Sequence, residues 1–147
     1  MRYQYKLEAL RRYRQFQEDK LQRELAEALR FRDQLVQMLD DQLVMRDRAE
    51  SDLESLQAES TTGPRMSVYE NYLKRIGKQI EQQRLKVKQA EKLCLERRTV
   101  LLAAVQKRKA LDKLKERDYK AYLADLNKKE QKFINEMAIN RFALKQG

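Results

Sequence analysis

Apolar side chains at Leu7, Leu21, Leu25, Ala28, Leu35, Leu39, Ala49, Leu53 and Leu56 fall on one heptad seam, stepping by three and four residues. Arg11, Arg14, Glu18, Arg32, Gln42 and Arg46 interrupt that seam, which is apolar at nine of fifteen positions. This period predicts a helix that buries one narrow stripe against a partner helix. A second seam runs through Tyr69, Leu73, Ile76, Ile80, Val87, Ala90, Cys94, Leu101, Ala104 and Leu111, broken at Gln83, Arg97 and Arg108. Between the seams stands Gly63-Pro64, which contains the only proline. A proline inside a helix costs about 3 kcal/mol, so the pair marks where helix stops. Ser67-Val68-Tyr69-Glu70 has the Ser-x-x-Glu form of a capping box, where a second helix would begin.

The pattern predicts an all-α fold: a long two-helix antiparallel coiled-coil hairpin with an overhanging C-terminal helix. It forms a single domain over 1–147, with helix 1 at about 3–58, a turn at 59–66 and helix 2 at about 67–142. Folding back at the Gly-Pro pair sets Leu56 against Tyr69, Leu7 near Asp118 and Tyr3 near Tyr122. Leu123 to Gly147 is then left without a partner, roughly 35–40 Å of chain if helical. Both seams shift frame at the open end, to Leu10 and Tyr13 in helix 1 and to Tyr119, Leu123, Leu126, Phe133 and Met137 in helix 2. Paired shifts predict a local loosening of the supercoil. Eight of the eleven aromatics lie at that end, and clustered exposed apolar residues mark interaction sites. Glu8/Arg12, Glu70/Lys74, Glu116/Lys120 and Asp125/Lys129 are spaced for ion pairs along a helix surface. Gly77, beside the second seam, should weaken its helix by about 1 kcal/mol relative to alanine.

Composition agrees with this picture. Charged residues make up 38% of the 147 and aromatics 7%, too polar for a thick globular core. The net charge of +10 is uneven: residues 1–58 carry 11 Lys and Arg against 12 Asp and Glu, and the remainder 22 against 11. A basic half predicts an acidic partner surface, anionic headgroups or nucleic acid. The run Lys107-Arg108-Lys109, Lys113, Lys115 and Arg117 is interleaved with Asp112, Glu116 and Asp118. That favours a solvated, partner-steering face over nucleic acid, which is not expected as a partner. No apolar run reaches the ~18 residues of a membrane span, and the start lacks a signal peptide's apolar stretch, so a soluble, intracellular protein is expected.

Catalytic chemistry is not expected. With no histidine and one cysteine, at a seam position, there is no basis for a triad, a Cys-His pair or an ordinary zinc site. The three glycines are isolated and form no phosphate loop. Asp40-Asp41 point about 100° apart on a helix and are a solvated face rather than an acid pair. Neither catalytic residue, metal, cofactor nor small-molecule substrate is predicted.

From Lys107 to Arg117, with Tyr119, Tyr122, Lys129-Glu130-Gln131-Lys132 and Glu136-Met137-Ala138, the sequence resembles the C-terminal half of the FliJ family. Those are coiled-coil components of the bacterial flagellar type III export apparatus. Tyr3, Lys6-Leu7, Leu10-Arg11 and Ile80-Glu81-Gln82-Gln83-Arg84 extend the resemblance over the whole chain. It implies a non-enzymatic stalk whose open end enters the hexameric flagellar export ATPase, promoting its assembly and activity. It also implies contact with the cytoplasmic region of the membrane export gate and with export chaperones, at the cytoplasmic face of the inner membrane. By matched position the ATPase-facing residues would be Leu7, Arg11, Lys129, Lys132, Phe133, Met137 and Phe142. The gate-facing patch would be Met38, Gln42, Met45, Tyr72, Ile76 and Gln83. Met45 and Ala49 stand where the family can have tyrosines. Two other readings stay open: the stalk of a non-flagellar type III system, or a basic coiled-coil dimer that scaffolds proteins or binds nucleic acid.

Overall fold

The computed structural model describes residues 3–59 and 63–146. It contains two helices, α1 (Glu8–Ala58, 51 residues) and α2 (Gly63–Gln146, 84 residues). They pack antiparallel as an all-α hairpin. The expected turn at 59–66 falls partly on residues 60–62, which lie outside the described residues.

Two boundaries differ from the sequence expectation for physical reasons. α2 begins at Gly63, so Pro64 lies in its first turn and Ser67 inside the helix rather than at a capping box. A proline there loses nothing, because the first N–H groups of a helix have no internal acceptor. α1 begins at Glu8 rather than near residue 3, and the Glu8 N–H donates to the Tyr5 carbonyl at 3.1 Å. Residues 3–5 are not helical. At the other end α2 continues to Gln146.

The chain divides into two compact units. In Lys20–Leu101 the expected seam is the core: Ala28, Leu35 and Ala49 of α1 are buried, as are Ile76, Ile80, Val87, Ala90 and Cys94 of α2. Leu35, Val87 and Ala90 pack together, with Val36 and Leu39 against them. Gln83 is a polar seam residue made tolerable by its partner: its Nε2 donates to the Leu35 carbonyl at 2.9 Å. A buried amide left unpaired would cost about 1–3 kcal/mol. At the margin of this seam Arg97 pairs with Glu24 at 3.1 Å.

The other unit, Met1–Asp19 with Leu102–Gly147, is held differently. Its seam keeps the original frame, so Arg11, Arg14 and Glu18 turn inward while Leu10 and Tyr13 stay exposed. The expected frame shift in helix 1 does not occur. Charge satisfaction replaces apolar packing: buried Glu18 takes the Arg108 guanidinium, and Arg108 also pairs with Asp112 at 2.6 Å. Arg11 reaches Asp112 at 3.5 Å and Glu8 at 2.9 Å, and Lys115 reaches Glu8 at 3.2 Å. Among the described residues of this unit, Leu111 is the buried apolar one.

Candidate functional site

Beyond Tyr122 the long helix stands uncovered. Every residue from Leu123 to Lys145 is exposed, although the helix is continuous through them. Leu126, Phe133, Met137 and Leu144 recur at heptad spacing, and Ile134 adjoins them, giving one apolar face. Phe133 is 63% exposed and Met137 43%. An open groove there is lined by Ile134, Met137, Ala138, Arg141, Phe142 and Lys145. Asp125–Lys129 at 3.3 Å and Glu116–Lys120 at 3.4 Å brace the exposed surface as the spacing predicted, and Glu8–Arg12 does so on α1 at 3.5 Å.

The candidates at the open end therefore separate into two kinds. Lys129, Lys132, Phe133, Met137 and Phe142 are on the uncovered helix, and Leu7 is 39% exposed just before α1. Arg11 is engaged inside the unit, and its hydrogen bonds to Glu8, ahead of the Asp112 charge, raise its pKa. Glu8 answers in kind: Arg11, against the cost of desolvation, and then Lys115 hold its carboxyl down at about 2.

The second candidate patch lies in the Lys20–Leu101 unit, and burial divides it. Met38 and Met45 are each half exposed, and Tyr72 is half-buried with the Arg75 guanidinium 5.6 Å from its ring centre. Ile76 and Gln83, expected to face a partner, are instead 3% exposed in the seam, where they hold the two helices together. Gln42 is half-buried, and its Oε1 has no hydrogen-bond partner among the described residues. The surface beside this seam is a shallow groove whose walls include Met45, Asp52, Val68, Tyr69, Tyr72 and Arg75. Sequence reasoning missed Val68 and Arg75 there. It also missed Phe31, 53% exposed and spaced by seven from Met38 and Met45, a periodicity that was present to be found. The basic run of α2 is divided in use, with Arg108 and Lys115 tied inward while Lys107, Lys109, Lys113 and Arg117 stay exposed.

Among the described residues no group of acidic or cysteine side chains is arranged to hold a metal, and no helix is long and apolar enough to cross a membrane. A two-helix hairpin whose polar residues bind its own helices together, with one helix end left bare, defines a coiled-coil assembly component. The chain belongs to the FliJ family: the family model described as flagellar FliJ protein matches residues 3–147. It is thus a component of the flagellar type III protein export apparatus. No curated protein and no solved structure matches the chain.

Proposed function

We propose that this protein is the stalk of the flagellar export machinery, entering the hexameric export ATPase with its open end and raising that enzyme's assembly and activity. The observation that carries the reading is the uncovered α2 face from Leu123 to Leu144, a helix already formed with its apolar residues in water. A preformed helix pays little ordering entropy on docking, and its apolar face supplies the burial. The surrounding charge is net basic, which would speed encounter with an acidic ring lining. Phe133, Met137 and Phe142 are the anchors in this reading, Lys129 and Lys132 the steering charges, and Leu7 an edge contact. The groove with Met45 and Tyr72, together with exposed Met38, is the proposed contact for the cytoplasmic region of the export gate, and the sides of the hairpin for export chaperones. Association with these partners would hold the protein at the inner face of the membrane.

The test is stimulation of the purified export ATPase. Deleting Leu123–Gly147, or replacing Phe133 and Met137 with glutamate, should abolish both the stimulation and the rise in hexamer fraction. The double substitution should leave the melting temperature unchanged, since neither side chain is packed. An unaltered stimulation curve for both variants would sink the assignment of the tip.

A further inference from the structure

Tyr3 and Tyr5 make contacts that coiled-coil pairing does not require. Tyr3 to Tyr5 lie outside any helix, yet both tyrosines reach across to α2. The Tyr3 hydroxyl donates to Asp118 Oδ2 at 2.7 Å and approaches the Lys115 carbonyl at 3.5 Å. The Tyr5 hydroxyl donates to the Leu111 carbonyl at 3.2 Å. The Tyr3 ring stands edge-on to Tyr119, with centroids 5.0 Å apart, and 5.3 Å from Tyr122. The segment thus touches positions 111, 115, 119 and 122, a single helix face by their spacing of four, four and three, with Tyr119 still 44% exposed. The same spacing carries that face onward to Leu126, Phe133 and Met137, where no described residue covers it.

The contact is built to let go. Tyr3 and Tyr5 are only half-buried, and Gln4 and Lys6 are exposed, so release opens no cavity. Hydroxyl bonds this close to solvent are weak, because water competes for them, and they open locally rather than only on global unfolding. Release also need not unzip the helices, because Glu8 holds Lys115 and Arg11 holds Asp112 independently of the tyrosines.

We propose that residues 3–6 are a displaceable strap, latched by Tyr3 and Tyr5, that shields part of the face of α2 leading into the tail and shortens the surface the tail offers. Opening it bares the sides of Tyr119 and Tyr122 that the Tyr3 ring shields, extending the face that begins at Leu123. A partner seated on the tail gains these two rings by displacing the strap, so the strap restrains docking until contact is made. The competitive half of this proposal rests on the ATPase-docking reading; the latch itself does not.

The full-length Tyr3→Ala/Tyr5→Ala variant tests both halves. Hydrogen exchange in the free protein should accelerate severalfold at amides 111–122 and stay unchanged across 20–101. Affinity for the purified export ATPase should rise about fivefold, the loss of roughly one such bond's competition. The Tyr3→Phe/Tyr5→Phe variant, which keeps the rings, should fall between wild type and the alanine variant in both measurements. Unchanged exchange overturns the latch. Faster exchange with weaker ATPase binding overturns the competition, because the strap would then be part of the docking surface. If wild type binds no ATPase, the docking reading fails and the latch is judged on exchange alone.

Discussion

Arg108 shows how a single side chain can hold a seam that lacks apolar residues. It pairs with buried Glu18 across the helices and with Asp112 along its own, and hydrogen bonding to Glu18 is the main cause that raises its pKa. Removing one partner of a largely buried pair leaves the other charge desolvated and unpaired, which costs more than the pair itself contributes. Arg108→Ala should therefore lower unfolding free energy by about 2–3 kcal/mol, with less lost in Glu18→Ala, since Asp112 still accepts from Arg108. The double variant should lose less than the two singles together, as measured by urea denaturation; strict additivity would show that the pair is not coupled. The heptad pattern placed both residues on the seam. It could not say that they would stay there instead of yielding to Leu10 and Tyr13, because sequence spacing does not reveal which inward charges find partners.

Both helices were legible along their seams and not at their ends. α1's seam from Leu21 to Leu56 was readable because the 3.5-residue period repeats through it, and the same holds for Tyr69 to Leu111 in α2. The ends were not readable by period. Pro64 marked a boundary correctly but sits inside the first turn of α2, a position that spacing alone cannot separate from the turn before it. Within α2, Gly77 has nothing within 4 Å of where a Cβ would stand. Gly77→Ala should stabilise the protein by about 1 kcal/mol through helix propensity and reduced freedom of the unfolded chain. Chemical denaturation checks this, and a loss of stability would mean that the helix needs glycine there for some other reason. Of the candidate site, the tail was legible because register arithmetic leaves it over. The division of the Met38–Gln83 patch was legible in part, since the heptad pattern puts Ile76 and Gln83 on the seam, whereas the Leu35 carbonyl that accepts from Gln83 was not.

At the scale of the molecule, the two units should answer pH differently. Glu8 titrates at about 2 in the fold against 4.5 for a free glutamate, so its ionised form stabilises the structure fully above about pH 4.5. That contribution is lost as the pH falls from 4.5 toward 2. Tyr3 titrates at about 12 rather than 10.0, raised by desolvation first and then by its bond to Asp118. Its neutral form therefore stabilises the structure fully below pH 10, and this is lost between pH 10 and about 12. Hydrogen exchange across the acid and alkaline limbs should show residues 3–19 and 102–122 loosening before 20–101. Simultaneous loosening of both would contradict a local role for these two groups.

The sequence by itself determined the helical period, the single break, the antiparallel pairing of the two helices and the stretch of the second helix that is left over. Those follow from local propensity and from counting, which need no knowledge of which atoms meet. Only the tertiary structure decided that α1 starts at Glu8, that the open-end seam is closed by ion pairs, and that Tyr3 and Tyr5 cross to α2. Each depends on whether a specific polar group finds its partner at hydrogen-bond distance on the other helix. That is a matter of ångströms across the interface, which a one-dimensional pattern does not contain.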